Sequence, residues 1–168
     1  MVYFSRYESP LGGLTLAGDG EALTGLWFDG QKGFAGAAAY GFAAKRLPVF
    51  DEAAEWLDIY FGGNPPGFTP KLSLKATPFR EAVWKLLLTV PYGRTLTYGD
   101  IARQLAARTE AGKISARAVG GAVSHNPISV IVPCHRIVGA NGDLTGYAGG
   151  LDRKIRLLQL EGALTARP

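Results

Sequence analysis

The sequence contains one cysteine, two histidines and one methionine among 168 residues. A single cysteine excludes an internal disulfide, and one cysteine with two histidines is too few for a typical four-ligand set, which argues against a structural zinc site. No run of eighteen apolar residues occurs, and the N-terminal MVYFSRYESP lacks the charged-then-apolar pattern of a signal peptide. We therefore expect a cytoplasmic protein with no metal and no membrane partner.

The charged residues are divided unevenly between the two parts of the chain. Residues 1–75 carry six Lys and Arg against eight Asp and Glu, for a net charge of −2. Residues 76–168 carry twelve against six, for a net charge of +6. A basic half favours a polyanionic partner such as nucleic acid, and an ordinary solvated basic surface explains it equally well.

The first 75 residues have the pattern of a small α/β domain. Short β-type runs separated by the turn sequences PLGG and DGE predict an antiparallel meander. Residues 31–44 show no clear period and are interpreted as a loop or weak helix. Residues 50–61, FDEAAEWLDIYF, carry acidic residues in the first turn and precede GGNPPG, which predicts a helix. Residues 70–76, PKLSLKA, are a candidate strand, and no catalytic groups cluster in this part.

Residues 76–168 have the pattern of a mainly helical domain. Three predicted helices begin at capping signals: Thr77 with Pro78, Thr97 with Asp100 as a capping box, and Ser115. The polar loop 108–115 joins the helices that begin after Thr97 and Ser115. A fourth helix is predicted over 152–161 and ends at Gly162. Two helices joined by a loop in a basic half indicate a helix-turn-helix. The predicted fold class is therefore α/β, with an antiparallel-sheet domain at 1–75 and a winged-helix-like domain at 76–168.

The helix after Ser115 contains two glycines near its middle, Gly120 and Gly121. Each glycine costs roughly 0.5–1 kcal/mol relative to alanine in a helix. Together with Ala116, Ala118 and Ala122 they form a bare surface, meaning one with almost no long side chains. Arg117 is the only long charged side chain on it. Two explanations stay open: close packing against another helix, or approach to the minor groove of DNA with one arginine reaching in.

The lone cysteine, Cys134, follows the apolar run VIVP at 130–133 and precedes His135 and a glycine-rich loop. The β-branched run predicts a buried strand whose hydrogen bonding ends at Pro133. A cysteine in such a place is usually a core residue, but His135 can also act as a base that lowers the thiol pKa. Because neighbouring strand side chains point to opposite faces, Cys134 and His135 can cooperate only if the backbone leaves the extended conformation there.

The stretch IVPCHRIVGANGDLTGYAGGLDRKIRLLQLEG, residues 131–162, resembles the active-site region of the O6-alkylguanine-DNA alkyltransferases. The motifs TYGDIA, ARAVGGA, NP, YAGG and LEG occur around it in the family's order. The resemblance covers residues 76–162 strongly and residues 1–75 in outline. It implies a protein that moves an alkyl group from DNA to its own cysteine, once per molecule, and needs no cofactor.

The resemblance also implies roles for individual residues at the site of transfer. It makes Cys134 the alkyl acceptor, His135 the group that takes the thiol proton through water, and Glu161 the carboxylate that orients the imidazole. Tyr98 corresponds to the phenol that hydrogen-bonds the damaged guanine and assists its departure. On position alone, Tyr98 would instead be interpreted as a packing aromatic at the start of a helix.

Further residues are implied at the DNA surface and in the base pocket. Arg117 corresponds to the arginine that fills the space left by an extruded base, and Asn126 to the hinge between the recognition helix and the active-site strand. The implied DNA-contacting surface also includes Ala116, Gly120, Gly121 and Tyr98. The implied base pocket comprises Tyr147, Ala148, Gly149, Val132 and Pro133. Some members have serine where Ala148 stands, which removes one side-chain contact to guanine from the implied set.

The implied partner is double-stranded DNA that carries alkylated guanine and is read from the minor groove. O4-alkylthymine stays open as a second substrate, and the protein is expected to be a monomer that can bind DNA cooperatively. Two alternatives belong to other functional classes. A non-catalytic sensor of alkylated DNA would be favoured by tryptophan or alanine at position 134, and a Cys–His–Glu hydrolase would turn over repeatedly.

Overall fold

The structure is a computed structural model that describes residues 1–31, 34, 36–109 and 112–164. Parts of the predicted loop or weak helix at 31–44 (residues 32, 33 and 35) and of the 108–115 loop (110 and 111) lie outside the described residues. No helix within the described ranges has the length and apolar character needed to cross a membrane. Nor do the described His, Cys, Asp and Glu side chains form any group of three that could hold a metal ion.

The chain forms two compact units. The first comprises Met1–Leu74 together with Pro127–Ser129, and the second comprises Lys75–Asn126 together with the chain from Val130 onward. The return of three residues to the first unit was not anticipated from the sequence. The boundary between residues 75 and 76, as a division into independently folding domains, stays a prediction.

The first unit is built on a four-stranded sheet. Strands β1 (Tyr3–Ser9), β2 (Gly12–Gly18) and β3 (Leu23–Phe28) are consecutive and antiparallel, which confirms the predicted meander. A two-residue strand, β4 (Ala43–Ala44), pairs parallel with β1, so the strand order is β3-β2-β1-β4. This strand was not predicted, because two residues are too few to show an alternating pattern.

Helix α1 (Pro48–Phe61) contacts β1, β2 and β3. It begins two residues before the predicted segment, because Pro48 occupies the first helical position, where a missing N–H costs nothing. The core of the unit is formed by buried residues of the sheet and of α1, among them Leu14, Leu16, Leu26, Ala53, Leu57 and Tyr60. The candidate strand at 70–76 is reduced to a single bridge between Leu72 and Leu23, so that prediction is wrong.

The second unit contains helices α2 (Pro78–Leu87), α3 (Tyr98–Arg108), α4 (Ala116–Ser124) and α5 (Leu151–Leu160). Strands β5 (Leu96–Thr97) and β6 (Ile137–Val138) pair in parallel. All three predicted caps are present: the side chains of Thr77, Thr97 and Ser115 each accept a hydrogen bond from the backbone three residues on. The mainly helical fold with contacting helices α3 and α4 is confirmed.

The apolar run before Cys134 is not a strand, contrary to the prediction. Residues 130–132 are buried but lie in turns, and Val130 has φ 68°, a value that β-branched residues rarely adopt. Nδ2 of Asn126 donates to the carbonyl oxygen of Val132 at 2.9 Å, which holds the turn in place. A short apolar run shows burial but does not distinguish a strand from a buried turn, which explains the error.

Candidate active site

The backbone turns sharply at Cys134. Pro133 has φ −82° and ψ 62°, and the backbone N–H of Cys134 donates to the carbonyl oxygen of Val132 at 2.8 Å, which together form an inverse γ-turn. Residues Cys134–Arg136 continue as a 3₁₀ turn. The condition for cooperation is therefore met: the chain leaves the extended conformation, and the side chains of Cys134 and His135 are both buried.

His135 and Glu161 form a buried pair. Nε2 of His135 lies 2.6 Å from Oε2 of Glu161, and neither side chain is exposed to solvent. Glu161 follows the last residue of α5, so that the end of this helix positions its carboxylate. Burial alone would raise the pKa of Glu161, but hydrogen bonds and charge from His135 and Arg136 lower it to about 2. An ionised carboxylate only accepts, so Nε2 carries the hydrogen and Nδ1 is the basic nitrogen of the ring.

The imidazole of His135 is neutral at neutral pH. Burial lowers its pKa, and the positive charges of Arg136 and Lys154 lower it further, against the opposing influence of Glu161. A neutral imidazole can accept a proton, whereas an imidazolium cannot. The residue that follows the thiol therefore carries a neutral base, oriented by a carboxylate.

Arg136 is a member of this site that the sequence reasoning missed. Its Nε donates to Oε1 of Glu161 at 2.8 Å, its Nη2 to Oε2 at 3.1 Å, and its Nη1 to the carbonyl oxygen of Val90 at 2.7 Å. The backbone N–H of Gly93 also donates to Oε1 of Glu161, at 3.0 Å. Such a fork of charge-assisted bonds fixes the carboxylate. A usable signal was present, since Arg136 is the only Lys, Arg, Asp or Glu residue between positions 128 and 138.

The pKa of the Cys134 thiol differs from the expectation. Burial raises the pKa of Cys134, and the hydrogen bond from Asn126 and the charge of Lys154 do not offset this effect. Burial therefore outweighs every effect that lowers the pKa of this thiol, and a lowering by the side chain of His135 stays a prediction. The reason is desolvation: Cys134 is only 6% exposed, which penalises a thiolate. The thiol form is therefore favoured over the thiolate at neutral pH.

Tyr98 and Tyr147 lie beside this cluster. Tyr98 is the first residue of α3, its hydroxyl is hydrogen-bonded to the side chain of Thr145, and burial raises its pKa so that it stays a phenol. The Tyr147 ring meets the edge of His135 with centroids 6.4 Å apart. The predicted pocket residues around them are buried or half-buried, namely Val132, Pro133, Ala148 and Gly149. Asn126 also belongs to this cluster, through its bonds to the thiol and to Val132.

Most of the predicted DNA-contacting residues lie on α4, and Gly120 brings this helix close to the Tyr98 ring. Helix α4 buries Val119, Ala122 and Val123, while Ala116, Arg117 and Gly121 are exposed. A Cβ atom at Gly121 would meet nothing within 4 Å, and one at Gly120 would meet only the Tyr98 ring at 3.9 Å, an ordinary contact. Close packing among the described residues therefore requires neither glycine. Of the two explanations left open, this favours a bare outer surface.

Models of protein families match almost the whole chain. Residues 2–74 match the ribonuclease-like domain of 6-O-methylguanine DNA methyltransferase, and residues 78–163 match its DNA binding domain. A methylated-DNA–protein-cysteine methyltransferase of Mycobacterium bovis is 45% identical over 167 residues, covering 96% of this chain and 93% of the relative. Sequence similarity therefore extends over both units.

Solved structures agree with this match. The O6-methylguanine methyltransferase of Mycobacterium tuberculosis superposes with a TM-score of 0.83 at 44% identity, over 97% of this chain and 94% of that one. The same protein solved in complex with DNA gives 0.83 at 44% identity, over 96% and 93%. Both the order of the elements and the overall fold are thus shared with solved alkyltransferase structures.

Proposed function

Because this chain belongs to the 6-O-methylguanine DNA methyltransferase family, we propose that it is a DNA repair protein that removes alkyl groups from O6 of guanine in double-stranded DNA. Its activity is that of a methylated-DNA–protein-cysteine S-methyltransferase, with Cys134 as the acceptor, used once per molecule. The observation that carries the proposal is the geometry at the only thiol of the chain. Cys134 stands on a sharp turn next to a base, His135, which is paired at 2.6 Å with a buried carboxylate.

The proposed transfer is a displacement at the alkyl carbon. The thiol proton passes to His135, through a bridging water, and the sulfur forms a bond to the carbon as the carbon–oxygen bond breaks. The electron pair of the broken bond goes to guanine, which takes up one proton, so that hydrogen replaces the alkyl group overall. The thioether product has no easy route back to a thiol, which makes the protein a reagent and not a recycling catalyst.

Tyr98 assists the departure of guanine in this proposal. A phenol whose pKa is raised by burial keeps its proton and can donate a hydrogen bond to the leaving base as negative charge develops there. The pocket wall formed by Tyr147, Ala148 and Gly149 borders the base. The same pocket would admit O4-alkylthymine, which presents a similar alkylated oxygen.

The damaged base reaches this buried thiol by leaving the duplex. Flipping costs a few kcal/mol, less for a weakened pair, and O6-alkylation removes normal Watson–Crick pairing. We infer that the bare outer surface of α4 faces the minor groove and that Arg117 fills the space left by the base. The net charge of +6 in residues 76–168 and the DNA complex of the M. tuberculosis relative support this inference.

The test of the whole proposal is direct transfer. The protein is mixed with duplex DNA containing O6-methylguanine, and its intact mass is measured over time. We expect one methyl group per molecule, on the peptide that contains Cys134, and no change with unmodified DNA.

We further propose that the protein acts as a monomer on each lesion. Its substrate is DNA, so we expect it in the compartment that holds the DNA, which in a bacterial or archaeal cell is the cytoplasm.

Glu161→Gln is expected to slow transfer roughly tenfold to a hundredfold, because the imidazole loses the negative charge that stabilises its protonated form and faces an amide, which can donate as well as accept and fixes the tautomer less well. The rate should also require higher pH, since a weaker base removes the thiol proton less readily. Single-turnover rates across pH measure both effects. An unchanged pH–rate profile would remove Glu161 from the mechanism.

This variant leaves the buried charge of Arg136 uncompensated, which by itself destabilises folded proteins by about 3–5 kcal/mol. The matched control is the double variant Glu161→Gln with Arg136→Met, which removes both charges.

Since the pKa of Glu161 lies at about 2, below its ordinary value of 4.5, its contribution to stability is present above pH 4.5 and is lost as the pH falls toward 2. Acid unfolding of the double variant should lack this dependence.

Substitutions at Gly121 separate the stability of α4 from its contact with DNA. Gly121→Ala is expected to raise the free energy of unfolding by about 0.5–1 kcal/mol, because glycine is unfavourable within a helix and space is available for a Cβ. Gly121→Leu should also fold, but its side chain should weaken duplex binding by about tenfold, or 1.4 kcal/mol. Thermal unfolding and DNA titration measure the two effects. Unchanged duplex affinity of Gly121→Leu would mean that this surface does not face DNA.

A further inference from the structure

Helix α4 is a weak helix by its own sequence. Gly120 and Gly121 lie in the middle of its nine residues, and glycine loses more conformational freedom than any other residue when a helix forms. Helices of this length do not persist in water by themselves, so α4 depends on contacts with the rest of the second unit. Its buried side contributes three small or medium side chains, those of Val119, Ala122 and Val123.

Side chains hold the C-terminal turn of α4 in place. The carbonyl oxygen of Gly121 accepts from Nδ1 of His125 at 2.7 Å and from Oγ of Ser124 at 2.9 Å. The carbonyl oxygen of Ala122 accepts from Nε1 of Trp84 at 2.8 Å and from the backbone N–H of His125 at 3.2 Å. Ser124 and His125 are exposed and belong to the end of α4 itself, whereas Trp84 lies on α2. The indole therefore ties this end of α4 to a different helix.

Trp84 can hold a neighbouring helix because its own helix is firmly packed. The side chain of Trp84 is only 3% exposed, and Val83, Leu86 and Leu87 of α2 are buried as well. An indole N–H can only donate, and a buried donor needs an acceptor. The carbonyl oxygen of Ala122 meets this need, in surroundings where low polarity strengthens the hydrogen bond.

The bonded carbonyl group lies between two functional parts of the chain. Arg117 is five residues before Ala122, about 7.5 Å along the helix axis, and is exposed. Asn126 is four residues after Ala122, and its Nδ2 donates to the carbonyl oxygen of Val132 at 2.9 Å. A change of α4 at Ala122 therefore displaces Arg117, while the turn before Cys134 keeps its own bond to Asn126.

We propose that Trp84 is a positioning residue for base flipping, which keeps the C-terminal turn of α4 helical and thereby holds Arg117 and the bare surface in place against the minor groove. This role involves no contact with DNA or with the alkyl group. The proposal rests on the DNA repair function proposed above. It assigns the effect to the indole N–H and not to the volume of the ring, and these two can be separated by experiment.

The test replaces Trp84 by benzothienylalanine, in which sulfur takes the place of the indole N–H and the shape of the ring system is nearly unchanged. Trp84→Phe is the second variant and also lacks the donor. The matched control is the same replacement at Trp56, which is buried on α1 in the first unit. Hydrogen exchange of the amides of 122–124 is measured without DNA. Single-turnover transfer at saturation is measured from O6-methylguanine duplex and from the free base O6-benzylguanine.

For the replacement at Trp84 we expect amide exchange in the last turn of α4 to become roughly threefold to tenfold faster, because one net hydrogen bond changes a local opening equilibrium by about that factor. Transfer from duplex DNA should slow by a similar factor, whereas transfer from the free base should stay near the wild-type rate, since it needs no flipping. Trp84→Phe should show the same pattern. The replacement at Trp56 should match the wild type in all three measurements.

A second substitution tests whether Trp84 acts through the helical conformation of α4. Gly121→Ala favours a helix, and its Cβ atom would meet nothing within 4 Å. Added to Trp84→Phe, it should restore slow amide exchange in the last turn. Faster exchange that Gly121→Ala does not slow would overturn this mechanism. Unchanged exchange after loss of the indole N–H would overturn the role of the bond, and equal loss on duplex and free base would overturn the role in flipping.

Thermal unfolding checks that each protein is folded, and the nearly isosteric replacement keeps the proposal testable if Trp84→Phe does not fold. Failure of the wild type to accept a methyl group from duplex DNA would instead contradict the proposed function. Amide exchange in α4 would still report on the hydrogen bond of Trp84 in that case, so the two failures are distinguishable.

Discussion

Cys134→Ser is expected to abolish alkyl transfer. A hydroxyl in this position has a far higher pKa than a thiol and is a poorer nucleophile toward an alkyl carbon, and the buried site already disfavours an anion. The measurement is intact-mass spectrometry after incubation with duplex DNA that contains O6-methylguanine. The wild type should gain one methyl group and then stop, while the variant should gain none over the same period.

The loss in Cys134→Ser is attributable to chemistry only if the variant still binds DNA. Serine is nearly the size of cysteine, so the fold should be kept, and thermal unfolding together with duplex affinity checks both points. Repeated release of repaired DNA by a fixed amount of wild-type protein would contradict single use, and would favour the Cys–His–Glu hydrolase class instead. Binding of alkylated DNA without any change of mass would favour the sensor.

The features that could be predicted from the sequence are those encoded within a few residues of one another. The caps at Thr77, Thr97 and Ser115 join a side chain to the backbone three residues on, and all three are present. The antiparallel meander likewise follows from short β-type runs and the tight turns between them. For these elements the local signal and the tertiary structure agree, which is why the fold class was predicted correctly.

The features that were missed, or that only the family resemblance supplied, depend on contacts beyond the span of a single helix cap or tight turn. The burial of residues 130–132 was predicted, but their turn conformation depends on the side chain of Asn126. The raised pKa of Cys134 depends on burial by the whole unit, which a neighbouring histidine in the sequence does not reveal. The pairing of His135 with Glu161 across 26 residues was implied by resemblance to a family and not by spacing.

The apolar periodicity of α5 indicates that Lys154 is a buried charge. It lies three and four residues before Leu157 and Leu158, and seven before Glu161, which places it on the buried stripe of α5. A charged residue on an apolar stripe needs a partner, and no acidic residue of its own helix lies on that stripe before Glu161. The pattern therefore indicates a buried charge, although only the structure identifies carbonyl oxygens as its acceptors.

Arg117→Ala is expected to lower the rate of transfer from duplex DNA by on the order of a hundredfold. If the arginine stabilises the extruded state, its loss leaves a flipping cost of a few kcal/mol without compensation, and each 1.4 kcal/mol is about tenfold in rate. The exposed position of Arg117 on an otherwise bare face of α4 means that truncation should leave the fold intact. A free O6-alkylguanine base such as O6-benzylguanine needs no flipping, so the variant should react with it almost as fast as the wild type.

The measurement is single-turnover kinetics on both substrates at saturating concentration. Lys113→Ala is the matched control, because it removes one exposed positive charge from the segment that precedes α4. A residue that contacts only phosphate should weaken duplex binding and reduce its salt dependence, with little change of rate at saturation, and we expect Lys113→Ala to behave in this way. Arg117→Ala should instead lose rate at saturation on duplex DNA alone. Equal loss on duplex and free base would mean that Arg117 supports the fold or the pocket, and its place in the duplex would have to be given up.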